Sequence, residues 1–160
     1  DLKLEDKITF HGKVAQREVI ELLKRADVFC FPTSASEGFP KVVLEALSCG
    51  LPVLTTRVSV LPKLIGAGAG VLIENPNAEE IADGIEKICS NREDYKKMSE
   101  RASATAQEYT LENWRDAIGE RLRRAWRVSA LSSGNGADSS AARSKKLWRP
   151  CVSKLGRSRL

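Results

Sequence analysis

Two carboxylates and the residues between them are the part of this sequence best suited to chemistry. Glu37 and Glu45 enclose Gly38, Phe39, Pro40, Lys41 and Val42, a stretch that follows an apolar run and opens a helical pattern. The first N–H groups of a helix have no partner within it, and the dipole places partial positive charge there. A helix start is therefore ready for an anion, and a diphosphate fits it. Gly38 lets the backbone approach a ligand closely. Pro40 is expected as the first helical residue, where its missing N–H costs nothing. The amides of Gly38, Phe39, Lys41 and Val42 are then the useful donors. Glu45 lies about 7 Å down the helix axis. A carboxylate accepts paired hydroxyl hydrogen bonds readily, and sugars and riboses present hydroxyls in pairs. Each glutamate alone also has a plainer reading, because an acid near a helix start stabilises the dipole and a mid-helix acid usually faces solvent.

The elements that must position this stretch follow from hydrophobic periodicity. Ile8-Thr9-Phe10 reads as a short strand closing at His11-Gly12. Gln16 to Arg25 carries Val19, Ile20, Leu22 and Leu23 at helical spacing. Val28-Phe29-Cys30-Phe31 is a continuous apolar run, as expected of a strand buried on both faces. The helix after Pro40 ends at Gly50, with Pro52 just beyond. Val53–Thr56 and Val71–Ile73 read as strands, and the segment between them, with Pro62, reads as a loop. Gly66, Gly68 and Gly70 lack a following Lys-Ser/Thr and are read as a turn, not a P-loop. Asn77 with Glu80, and Ser90 with Glu93, are capping signatures for two further helices. A last helix places Leu111, Trp114, Ile118 and Leu122 on one stripe, and Trp114 and Trp126 are expected in the core. Strands alternating with helices predict an α/β fold with a doubly wound parallel sheet. Ligands of such sheets bind beyond the carboxyl ends of the strands, which directs attention to the loops after Phe31 and Thr56.

Composition narrows the function classes. The 160 residues suit one domain, and the net charge is +5. Arg143, Lys145, Lys146, Arg149, Lys154, Arg157 and Arg159 stand against Asp138 alone beyond Val128, so the remainder is close to neutral. A neutral folded part argues against a nucleic-acid partner. Residues 1–127 are read as a partial Rossmann-like domain and 128–160 as a basic, flexible tail rich in Ser, Gly and Ala. Trp148 among Lys and Arg is a candidate anionic-membrane contact, weighed against a solvated tail. No apolar run reaches the roughly 18 residues of a membrane span. The charged start, Asp1 to Asp6, does not read as a signal peptide. Cys30, Cys49, Cys89 and Cys151 form no C-x-x-C pair and His11 is the lone histidine, so no metal is expected. Cys30 and Cys49 read as small buried residues, and a reduced, cytoplasmic setting follows, with a peripheral membrane location as a variant.

The compound string is more specific than its parts. Glu37-Gly38-Phe39-Pro40, Glu45-Ala46, Gly50 and Pro52-Val53 resemble the donor-site signature of the family-4 retaining glycosyltransferases. The flanks Ile8–Gly12, Ala26–Phe29 and Gly70–Ile73 resemble them too, so the likeness runs from Leu4 to Arg127. The resemblance implies the C-terminal, donor-binding half of a GT-B fold. It implies that Glu37 bonds the donor sugar, that the Gly38 and Phe39 amides hold the diphosphate, and that Glu45 binds the ribose. His11 and Gly12 are candidate nucleotide contacts beside that pocket. It further implies a nucleotide-diphosphate sugar as substrate, no cofactor or metal, and retention of anomeric configuration. Glu37 is the candidate catalytic residue at the sugar's hydroxyls, while electrostatic stabilisation of the departing diphosphate is the core of the catalysis the resemblance implies. An N-terminal, acceptor-binding Rossmann domain is expected elsewhere, in the same polypeptide or a partner chain. So is the strand-helix-strand unit that carries an Arg and a Lys for the diphosphate. The loop Arg57 to Ile65 lacks the family's usual Gly-Gly and has Lys63 where Glu is common. Two alternatives stand beside a transferase: a non-catalytic remnant or accessory subunit, and a sugar-nucleotide epimerase, which the paired-glutamate string fits less well.

Overall fold

The computed structural model of the chain describes residues 4–36 and 38–126. The expectations for Glu37, Trp148, Cys151 and the tail at 128–160 fall outside the described residues. Nine elements follow one another among the described residues. They are α1 (Gln16–Arg25), β1 (Phe29–Phe31), α2 (Lys41–Ser48), β2 (Val53–Thr56), α3 (Leu61–Ile65), β3 (Gly70–Ile73), α4 (Ala78–Cys89), α5 (Arg92–Glu108) and α6 (Leu111–Trp126).

The three strands form a parallel sheet in the order β1-β2-β3. Phe29 pairs with Val53, and Val53 with Gly70. Side chains alternate across such a sheet, and each face has its own cover. Val53 and Leu72, with Phe29 and Phe31, meet Leu23 of α1, Val43, Ala46 and Leu47 of α2, Leu61, Leu64 and Ile65 of α3, and Ala102 of α5. Leu54, Val71 and Ile73 meet Ile81 and Ile88 of α4 and Tyr95 and Met98 of α5. Helices therefore lie on both faces of a parallel sheet, the Rossmann-like arrangement. The central strand β2 is buried along its whole length.

Local signals explain most boundaries. Asn77 Oδ1 accepts from the Glu80 N–H at 2.8 Å, capping α4. The Glu80 carboxylate accepts from the Asn75 amide at 3.0 Å, the Asn75 side chain at 2.7 Å and the Glu74 amide at 2.8 Å, and these bonds, those from Asn75 first, hold its pKa below the ordinary carboxylate value. Gly50 takes φ +74° directly after the α2 cap at Cys49, the left-handed role expected of it.

Several expectations are corrected. Ile8, Thr9 and Phe10 form no strand, and Phe10 is 91 % exposed. A strand exists through its ladder, and no described strand pairs with this segment. The segment around Pro62 contains the short helix α3, with Pro62 in its first turn. The cap of α5 is Asn91, not Ser90: its Oδ1 accepts from the Glu93 and Asp94 amides. Cys30 is exposed, because β1 is an edge strand of the described sheet and its Cys30 face is incompletely covered. Partial burial nonetheless pushes its thiol pKa up. Cys49 is half-buried. Trp114 and Trp126 are 51 % and 70 % exposed, and α6 buries no residue. Its apolar stripe is real, but nothing among the described residues covers it. No helix among the described residues is long and apolar enough to cross a membrane.

Tyr95 ties α5 to the entrance of β1. Its hydroxyl donates to the Asp27 carbonyl at 2.9 Å. Burial first, then the nearby Asp27 charge and Cys89, push its pKa up from 10.0 to about 12. A phenol held neutral in the folded state contributes stability that is fully present below pH 10. That contribution is lost as pH rises toward 12, because the unfolded chain releases its proton first. Unfolding followed between pH 9 and pH 12 is expected to show a steeper alkaline loss in the parent than in Tyr95→Phe. Equal slopes would remove Tyr95 from the account.

Candidate functional site

The site begins where β1 and β2 end side by side. Two buried threonines at the carboxyl end of β2 hold the chain leaving β1. The Thr55 hydroxyl donates to the Phe31 carbonyl at 2.7 Å, and the Thr56 hydroxyl donates to the Thr33 carbonyl. Farther out, the Ser59 hydroxyl donates to the Gly38 carbonyl at 3.4 Å. The two loops that the topology brings together are thus joined from β2 outward. Thr56→Val keeps the shape and removes one donor. It is expected to cost about 1–2 kcal/mol in urea unfolding and to speed amide exchange in the Thr33–Ser36 loop. An unchanged midpoint with unchanged exchange would contradict that anchoring.

Ser59 was not legible as a special residue. The loop after β2 lacks the Gly-Gly expected there, yet Ser59 adopts φ +52°. That is the left-handed region, uncommon for a residue with a Cβ. The loop keeps a glycine-like backbone without the glycine.

The structure moves the start of α2 by one residue. Pro40 is the cap, with φ −74° and ψ 99°, and the helix opens at Lys41. Pro40 is buried, which anchors the turn against the core. Among the described residues no acceptor meets the N–H groups of Phe39, Lys41 and Val42, while Val43 N–H bonds back to the Pro40 carbonyl at 3.1 Å. Among the described residues, the three N–H groups of the expected donor set are thus left without an acceptor. Lys41, at the first helical position, is exposed and has no partner among the described residues. Arg57, the other nearby cation in sequence, is paired with Glu74. The Phe39 ring packs against Tyr109 at 5.5 Å between centroids, so the turn is also braced by the end of α5.

Glu45 lies one turn below and is half-buried. Its carboxylate accepts from the Gln16 amide of α1 at 3.0 Å. No sequence signal marks Gln16, which is 29 positions away. His11 and Gly12 are exposed, and no hydrogen bond or ion pair among the described residues joins them to the α2 turn. The structure thus brings Gly38, Phe39, Pro40, Lys41, Val42 and Glu45 onto one turn and its helix, and leaves His11 and Gly12 outside that network. A surface cavity of about 260 Å³ lies elsewhere, at the α5–α6 corner, lined by Tyr109, Asn113, Trp114, Ile118 and Arg121 among others.

A parallel sheet covered on both faces, with an open helix start at its carboxyl edge, defines a Rossmann-like α/β domain. Residues 1–105 match the glycosyl transferases group 1 family, and the chain belongs to that family. It is 36 % identical over 109 residues to the N-acetyl-alpha-D-glucosaminyl L-malate synthase of Bacillus anthracis, covering 68 % of this chain and 28 % of that one. It is 32 % identical over 127 residues to a D-inositol 3-phosphate glycosyltransferase of Paenarthrobacter aurescens, covering 74 % of this chain and 31 % of the relative. Among solved structures, HepE of Anabaena in complex with UDP-glucose superposes with a TM-score of 0.67 at 26 % identity, over 77 % of this chain and 34 % of that one. Sucrose-phosphate synthase of Thermosynechococcus elongatus shares the fold, with a TM-score of 0.67 at 24 % identity, over 79 % of this chain and 32 % of that one. The chain spans roughly a third of the length of these relatives.

Proposed function

We propose that this chain is the donor-binding part of a glycosyltransferase that moves a sugar from a nucleotide-diphosphate sugar to an acceptor with retention of configuration. The observation that carries the reading is the α2 start: amides of Phe39, Lys41 and Val42 without a partner among the described residues, directly above Glu45, at the carboxyl edge of a parallel sheet. Family membership and the UDP-glucose complex of the related HepE support a nucleotide sugar as the ligand. In this reading the diphosphate lies on the amides, Glu45 takes the ribose hydroxyls and Glu37 takes hydroxyls of the sugar. As the glycosidic bond breaks, negative charge builds on the departing diphosphate. Fixed N–H dipoles stabilise that charge without reorganising, which lowers the barrier, and Lys41 adds positive charge beside them. The residues of this stretch supply no second carboxylate for the opposite face of the sugar, so Glu37 is not read as the nucleophile of a glycosidase pair.

Isothermal titration of the chain with UDP, GDP and their glucose conjugates tests the proposal. Weak but saturable heat with at least one nucleotide is expected, with a matching rise in melting temperature. No heat and no thermal shift across the panel would overturn it.

A second reading is an accessory subunit that pairs with a separate N-terminal Rossmann domain. It is favoured by the stripe Leu111, Trp114, Ile118, Leu122 and Trp126 on α6, which is exposed among the described residues. Co-purification with such a domain, with a blue shift of tryptophan emission on mixing, would support it. Transfer activity by the 160-residue chain alone would exclude it.

A further inference from the structure

Gln16 is the first residue of α1, and it does not serve that helix. The cap, Ala15, makes no side-chain bond to the turn, and the Gln16 side chain leaves α1 to reach α2. Its Nε2 donates to Glu45 Oε1 at 3.0 Å, across a sequence separation of 29. The Glu45 carbonyl is occupied separately, by the Ser48 hydroxyl at 2.7 Å and the Cys49 N–H at 3.2 Å, so α2 is well held beneath the carboxylate. The Gln16 contact is the one hydrogen bond made to the carboxylate itself among the described residues.

An ionised carboxylate has about four acceptor positions on two oxygens. Gln16 fills one of them and leaves Oε2 and the remainder of Oε1 open. A neutral amide donor also leaves the negative charge in place, where a lysine would have neutralised it. Glutamate has several rotamers, and ordering it only on binding would weaken affinity. A carboxylate already held by Gln16 has less of that ordering left to do.

We propose that Gln16 is a positioning residue that orients Glu45 toward the two ribose hydroxyls of the nucleotide, and thereby sets the preference for ribonucleotides over 2′-deoxyribonucleotides. The inference rests on the reading of Glu45 as the ribose acceptor. Gln16 touches the carboxylate and need not touch the ligand.

The test is calorimetric titration of the full chain with UDP and with 2′-deoxy-UDP. The parent is expected to favour UDP. In Gln16→Ala and in Gln16→Met, which keeps side-chain bulk at an exposed position, UDP affinity is expected to fall roughly 3- to 10-fold. Affinity for 2′-deoxy-UDP should change much less, so the discrimination ratio shrinks. A merely structural role would weaken both nucleotides alike and leave the ratio intact. An intact ratio in both variants, with the parent still favouring UDP, would overturn the role of Gln16 and spare that of Glu45. A parent that binds both nucleotides equally, or neither, would overturn the Glu45 reading and this inference with it.

Discussion

Gly70→Ala is expected to unfold the sheet or to leave it severely destabilised. Gly70 opens β3 and pairs with Val53 of the central strand. A Cβ built at Gly70 would lie 1.9 Å from the Val53 carbonyl oxygen and 2.6 Å from the Val53 nitrogen. These are backbone atoms, and they cannot rotate away. Val53 is fully buried, and its N–H is bonded to the Ala69 carbonyl at 3.1 Å. Relief requires β3 to withdraw from β2, which breaks the ladder at its origin and opens the cluster formed by Leu54, Ile73 and Ile88. A loss of about 4 kcal/mol or more is expected, a large share of the 5–15 kcal/mol that typical domains possess. Urea unfolding followed by circular dichroism reads it directly. A variant within about 1 kcal/mol of the parent would show that the close approach of β3 to Val53 is not needed.

Gly38 provides the contrast within the same chain. A Cβ there meets nothing within 4 Å, and its backbone is not left-handed. Gly38→Ala should therefore fold like the parent, so any loss of nucleotide binding would report on the approach of a ligand rather than on the fold.

The second large effect falls on binding. Glu45→Ala is expected to weaken UDP affinity by roughly 10- to 100-fold, the worth of one or two hydrogen bonds to a charged acceptor. The melting temperature should move little, because the carboxylate's sole hydrogen bond among the described residues is to the exposed Gln16 amide. Glu45→Gln keeps the size and one acceptor oxygen and should fall between the two. Separate readouts matter here: unchanged UDP affinity in Glu45→Ala, with a folded protein, would sink the assignment of Glu45 to the ribose. If both affinity and stability collapsed together, Glu45 would instead be a structural residue of α2.

Much of the chain could be read before its fold was seen. Helix α1 spans the predicted Gln16–Arg25, and β2 spans the predicted Val53–Thr56. Gly50 has the left-handed conformation that its place between Ser48 and Pro52 suggests. These features are local: a periodic pattern, a strand-length apolar run, a turn residue that needs no Cβ. The misread features all depended on neighbours. Ile8-Thr9-Phe10 has strand-like composition, but composition does not supply a partner strand. Trp114 and Trp126 fall on a helical stripe, but a stripe states only that a face is apolar, not that anything covers it. Cys30 belongs to an apolar run, yet its burial was decided by the place of β1 at the described sheet's edge.

The same division runs through the candidate site. Sequence by itself determined the chemical groups: an amide-rich helix start, a lysine at its first turn, two carboxylates with seven residues between them, and membership of a transferase family written in that spacing. Tertiary structure decided how the described groups face one another. Parallel pairing of β1 with β2 set the two loops side by side, and Thr55, Thr56 and Ser59 joined them across more than twenty residues. Packing of α1 against α2 put Gln16 on Glu45. The reason is physical. Side-chain type and helical or strand period are properties of a few consecutive residues, whereas the direction of a carboxylate depends on which distant donor the packed core delivers to it.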